Sequence, residues 1–146
     1  SMCLDLVGEA PSEVSARCLE ERETGEGSGA VFDLRLEFAD ETTAGIRIGN
    51  LLPGKRRRFC AAFDDGILVY DDLAADKLTL VPTSASPEAE MRAIAVAPDL
   101  PLTCAVGGFA QAIAAGSRSR EGLQLGLSVV ETLARCEAAL EESQPE

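Results

Sequence analysis

From Phe32 to Phe38, and again from Ala44 to Ile48, apolar residues recur at every second position. Phe32, Leu34, Leu36 and Phe38 are spaced by two, with Asp33, Arg35 and Glu37 between them; Ala44, Ile46 and Ile48 repeat the pattern, with Gly45 and Arg47 opposite. Successive strand side chains point to opposite faces. The stretch therefore predicts two half-buried strands, joined by a tight turn at Asp40-Glu41. A lone hairpin cannot hide the apolar face it creates, so another layer must cover it.

The covering layer is expected from the other end of the chain, where the period changes. Leu102, Val106, Phe109 and Ile113 recur at helical spacing. Pro101 suits a first helical turn, and Gly116 suits a stop. Ser117 or Ser119 can cap a second helix, with Glu121 in its first turn. Its apolar stripe reads as Leu123, Leu127, Val130 and Leu133, widened by Val129, Cys136 and Leu140. The tail from Glu141 is expected to fray.

Four more strands complete the pattern. Val14, Ala16 and Cys18 alternate with Ser15 and Arg17, after a short helical tail at residues 3–7 that Gly8 and Pro11 end. Arg57 to Phe63 carries Phe59, Ala61 and Phe63 on one side. Ile67 to Tyr70 follows an Asp65-Gly66 turn, and Leu78 to Val81 follows an acidic turn. Residues 83–98 read as a crossing linker. The expected fold is a single α+β domain over 1–146, an open, mostly antiparallel six-stranded sheet with two C-terminal helices packed on one face.

The later strands are apolar on both faces, while only one helix layer is available. The spare face predicts a partner surface, with Cys60, Ala62, Leu68, Tyr70 and Val81 as interface candidates and a homodimer or higher oligomer as the outcome.

Charge and composition narrow the chemistry. A net charge of -12 disfavours nucleic acid and anionic membranes as partners. The basic run Lys55-Arg56-Arg57-Arg58 reads as a solvated turn leading into a strand. There is no histidine, so Ser-His, Cys-His and His-metal chemistry are impossible within these 146 residues. Five cysteines, widely spaced and without a C-x-x-C, point to reduced, mostly buried thiols and a cytoplasmic protein. No apolar run approaches the roughly 20 residues of a membrane span.

The candidate motifs carry little. Gly25, Gly27 and Ala30 in GEGSGA match the loose form of a dinucleotide fingerprint, but a strand follows where the pyrophosphate needs a helix N-terminus. The loop reads as an acidic hairpin. Asp64-Asp65 and Asp71-Asp72 read as turn residues rather than an acid–base pair. Tyr70 reads as a packed or interface aromatic rather than a proton donor. No catalytic, cofactor-binding or metal-ligating residue is assigned.

The stretch PLTCAVGGFAQAIAAGSRSREGLQLGLSVVETLARCEAAL resembles the end of the glucose–fructose oxidoreductase / inositol dehydrogenase / MocA family. The residues that carry the resemblance are Pro101-Leu102, the helix Phe109 to Gly116, and Glu121-Gly122-Leu123. At the start, Leu6, Gly8, Pro11 and Val14 in LVGEAPSEVSAR resemble the family's approach to its first strand, and FCAAFDDGILVYDD resembles its strand–turn–strand segment. The resemblance implies a second domain without its Rossmann partner. The glycine fingerprint, the catalytic lysine motif, and the acid and histidine of that family have no counterpart here. It implies a substrate-facing, oligomerising domain of an NAD(P)-dependent oxidoreductase acting on a sugar or polyol. Such a domain binds no cofactor and is inactive alone. In that family the exposed sheet face commonly builds the subunit contact. The alternative is a free-standing interaction or scaffold module with no enzymatic activity.

Overall fold

The computed structural model describes residues 1–25, 27–83, 91–97, 100–117 and 120–143. The chain packs as two units, residues 1–53 with 118–146, and residues 54–117.

The first unit opens with α1 (Met2–Val7), which ends at Gly8. β1 (Glu13–Thr24), β2 (Gly27–Glu37) and β3 (Thr43–Gly49) form an antiparallel sheet in the order β1-β2-β3. Leu34 stands between Ala16 and Ile46, and Leu36 between Val14 and Ala44. The alternation that predicted β2 and β3 thus lines one apolar face across all three strands. The β2–β3 turn is closed by the Phe38 N–H donating to the Thr42 carbonyl at 2.9 Å, with Glu41 in the left-handed region at φ 67. Gly49 lies so close to β2 that a side-chain carbon there would collide with the Ala30 carbonyl oxygen.

The apolar face is covered by α3 (Glu121–Glu142) and α1. Leu4, Ala16, Leu34, Leu36, Phe38 and Cys136 are buried together, with Val14, Phe32, Ile46, Leu125, Val129, Ala139 and Leu140 packed around them. α3 is also clasped to the start of β1. The Arg135 guanidinium donates to the carbonyls of Pro11 at 2.6 Å and Ser12 at 2.8 Å. The buried Thr132 hydroxyl donates to the Ser128 carbonyl one turn back.

The second unit is a four-stranded antiparallel sheet, β4 (Arg58–Phe63), β5 (Gly66–Asp71), β6 (Leu78–Pro82) and β7 (Arg92–Ala93), in sequence order, followed by α2 (Pro101–Ala114). Among its described residues only Gly66 is buried. There a side chain would meet the Val81 carbonyl and the Leu80 side chain.

Three expectations are corrected. The strands make two sheets of three and four, not one sheet of six. Reading consecutive strands as one meander assumed that β3 bonds to β4. The segment between them is instead eight residues long, from Asn50 to Arg57, and carries Pro53, which cannot donate to a ladder. β7 was read as linker, since two residues carry no periodicity. α3 covers the apolar face with only part of the expected stripe: Val129, Cys136 and Leu140 face the core as expected, joined by Leu125 and Thr132. Leu123, Leu127, Val130 and Leu133 are exposed. Two residues along a helix is about 200° of rotation. Leu123 and Leu127 are therefore turned away from Leu125 and Val129, while Leu133 lies at the edge between the buried and the exposed sets.

Candidate functional site

The second sheet separates the five interface candidates. Its register sets Cys60 beside Val69, Ala62 beside Ile67, and Ile67 beside Val81. Leu68 stands between Ala61 and Leu80, and Tyr70 between Phe59 and Leu78. Pleating alternates the faces. Cys60, Ala62 and Val81 therefore share one face, and Leu68 and Tyr70 the other. The Leu68–Tyr70 face is the bulkier, with Phe59, Leu78 and Leu80 added. No side chain on either face is buried: Cys60 and Ala62 are exposed, and Leu68, Tyr70 and Val81 half-buried.

At one end of the bulkier face, Tyr70 donates its hydroxyl to Asp72 Oδ1 at 3.3 Å. Asp72 also accepts from Lys77 Nζ and from the Arg57 guanidinium, each at 3.4 Å. Lys77, then Arg57, hold its carboxyl below the usual carboxylate range. Asp71 accepts from the Leu73 N–H at 3.0 Å, a turn contact. The acidic pairs thus lie at turns, as expected from their sequence setting, and Asp72, just past the end of β5, adds ion pairs to Lys77 and Arg57 that were not expected.

The outer face of the first sheet is polar and ordered in rows. Glu13, Glu37 and Thr43 stand side by side across the three strands, then Ser15, Arg35 and Gly45, then Arg17, Asp33 and Arg47. Asp33 is clamped from both sides, by Arg17 at 2.9 Å and by Arg47 at 2.9 and 3.2 Å. These hydrogen bonds, Arg47's first, hold its carboxyl at about 2, against 3.8 ordinarily. Arg35 turns to Glu37 at 2.8 Å. Ser15 and Gly45 leave a shallow depression of about 440 Å³ over the middle row. Sequence reading did not assign this cluster; the cross-strand alignment of Arg17, Asp33 and Arg47 was its signal.

The cysteines are all free thiols. Cys136 is buried, and burial pushes its thiol up. Cys3 and Cys18 are half-buried, whereas Cys60 and Cys104 are exposed, so mostly buried thiols were expected wrongly. GEGSGA leads into β2 at Gly27, and no helix follows to bind a pyrophosphate; Glu26 lies outside the described residues. Among the described residues no group of three or more Cys, Asp or Glu is placed to hold a metal ion. No helix among them is long and apolar enough to cross a membrane.

α2 is the least covered element. Its 14 residues include no charged side chain, and Leu102, Val106, Phe109 and Ile113 are all exposed, Leu102 at 75%. A helix apolar on one side and uncharged on the other is normally buried.

A solved structure is similar over nearly the whole chain. It is described as a "putative oxidoreductase" from Magnetospirillum magnetotacticum MS-1. It is 37% identical, with a TM-score of 0.77, and the likeness covers 92% of this chain and 44% of that one. The chain thus spans less than half the length of its neighbour. No family model matches, and no curated protein matches.

Proposed function

We propose that this chain is the substrate-facing and oligomerising module of an NAD(P)-dependent oxidoreductase of the glucose–fructose oxidoreductase / inositol dehydrogenase / MocA type, acting in the cytoplasm on a sugar or polyol. The observation that carries the reading is the 37% identity to a putative oxidoreductase across 92% of the chain, within a protein more than twice as long. The nucleotide and the catalytic lysine belong, in this reading, to the other half of the longer protein. The uncharged, uncovered α2 supports it, because such a surface suits a place inside a larger assembly. Self-association uses the bulkier face of the second sheet, around Leu68 and Tyr70.

Calorimetric titration of NADH and NADPH tests the first part. This chain alone should give no saturable heat; saturable micromolar binding overturns the reading. Sedimentation tests the second. A dimer or larger species is expected, and Tyr70→Asp should dissociate it, because a carboxylate forced into an apolar contact without a partner is costly. A strict monomer at high concentration overturns the assembly reading.

A further inference from the structure

Most cations of the chain stand on backbone that is already hydrogen-bonded. Arg17, Arg22, Arg35 and Arg47 lie within β1, β2 and β3, and Arg135 lies within α3. The Lys77 carbonyl accepts from the Asp71 N–H at 2.9 Å, Arg92 pairs with Leu80 across the sheet, and the Arg120 carbonyl accepts from the Gln124 N–H at 2.9 Å. The run Lys55-Arg56-Arg57-Arg58 is different. It follows Gly54, the first residue of the second unit. Asn50 is tied back to β2 through Ala30, and the Arg57 carbonyl accepts from the Asp72 N–H at 3.0 Å. Between those anchors, Leu51 to Arg56 make no backbone hydrogen bond among the described residues, and Pro53 to Arg56 are exposed. Neither Lys55 nor Arg56 makes an ion pair among the described residues.

An endoprotease acts on backbone that is free of hydrogen bonds and can leave its fold at little cost. A specificity pocket that carries a carboxylate selects a cationic side chain beside the bond to be cut. Lys55 and Arg56 meet both requirements together. We propose that the bonds after Lys55 and Arg56 are the cleavage site of an endoprotease specific for basic residues, and that the nicked chain keeps its first unit. Hydrolysis consumes one water per bond. It leaves a carboxylate on Lys55 or Arg56 and an amine on the residue that follows. The N-terminal piece then carries α1 and β1 to β3, and the other piece carries α3. Leu4, Ala16, Leu34, Leu36 and Phe38 of the first piece are buried with Cys136 of the second. The Arg135 guanidinium holds the Pro11 and Ser12 carbonyls across the same pair of pieces. No residue of the cut segment belongs to that core, so the pieces stay together without a covalent link.

The inference holds whether or not the chain serves an oxidoreductase. Its test is brief digestion of the whole chain with a low proportion of trypsin in native buffer, the products identified by mass. The first cut should fall after Lys55 or Arg56, ahead of cuts at Arg118 or any other cation. The two pieces should elute together from a sizing column in native buffer and separate in denaturant. The double variant Lys55→Gln/Arg56→Gln separates backbone freedom from mere charge. Arg57 and Arg58 remain in it, but the Arg57 carbonyl is hydrogen-bonded and Arg58 stands in β4. Loss of intact chain should therefore slow about tenfold or more, because cleavage must wait for local opening. A first cut elsewhere, pieces that part in native buffer, or a double variant digested as fast as the parent overturns the proposal.

Discussion

Asp33 shows how much one side chain can be held by its neighbours on a sheet. It lies on the middle strand with an arginine beside it on either flank, and its carboxyl is held at about 2 against an ordinary 3.8. A carboxyl lowered on folding stabilises the fold above its unfolded value and loses that contribution as pH falls through its folded value. The window is therefore about pH 4 down to about 2. A carboxyl-carbon NMR titration should place the Asp33 midpoint near 2. In Arg47→Gln the midpoint should rise toward 3.8, since Arg47 provides two of the three hydrogen bonds and the stronger hold on the carboxylate. An unmoved midpoint would assign the depression to something other than this clamp. The alternation of β2 placed Asp33 on the polar face. The clamp depended on a register that one strand's pattern does not contain.

At the scale of elements, what was legible was whatever rests on local periodicity. The β1–β2–β3 alternation, the α1 stop and the boundaries of α2 follow from spacing, glycine and proline, whereas α3 starts after Arg120 and not at a Ser117 cap, Ser119 lying outside the described residues. What was not legible was which of two competing apolar surfaces is buried. On α3 the outer stripe holds Leu123, Leu127, Val130 and Leu133, while the inner one includes Thr132 and Cys136. The expected stripe ran across both, with Val129, Cys136 and Leu140 beside the leucines, and spacing alone does not divide it. The inner one wins because its smaller residues let α3 lie close to Ala16 and Leu34, and because Arg135 ties it to Pro11 and Ser12. Paired substitutions distinguish the faces by chemical denaturation of the first unit. Val129→Asp sets a charge against the core and should cost several kcal/mol. Leu127→Asp, on the exposed stripe, should change stability by no more than about 0.5 kcal/mol. Equal losses at both positions would contradict the assigned orientation. The interface candidates failed to gather on one face for a related reason. Cys60, Ala62 and Val81 follow one strand parity and Leu68 and Tyr70 the other, and only the β4–β5–β6 register shows it.

At the scale of the whole chain the two units differ in what they bury. The first has a core of buried side chains between a sheet and a helix. The second has four strands and an uncharged helix, and among its described residues buries only Gly66. Exposed sheets with apolar residues on both faces are poorly stable without a second layer. The difference should appear in native-state hydrogen exchange. In a dilute solution of the monomer, backbone amides of β1, β2 and β3 should exchange slowly, opening only with the first unit as a whole. Those of β4, β5 and β6 should exchange through low-energy local openings. Raising the concentration until self-association is complete should slow exchange in β5 and β6, because binding that favours the folded sheet stabilises it by mass action. Tyr70→Asp should abolish that gain and leave the β1–β3 amides unchanged. Protection of β5 equal to that of β2 in the dilute monomer would mean that the second sheet holds itself together, and the physical case for a partner on its Leu68–Tyr70 face would fall with it.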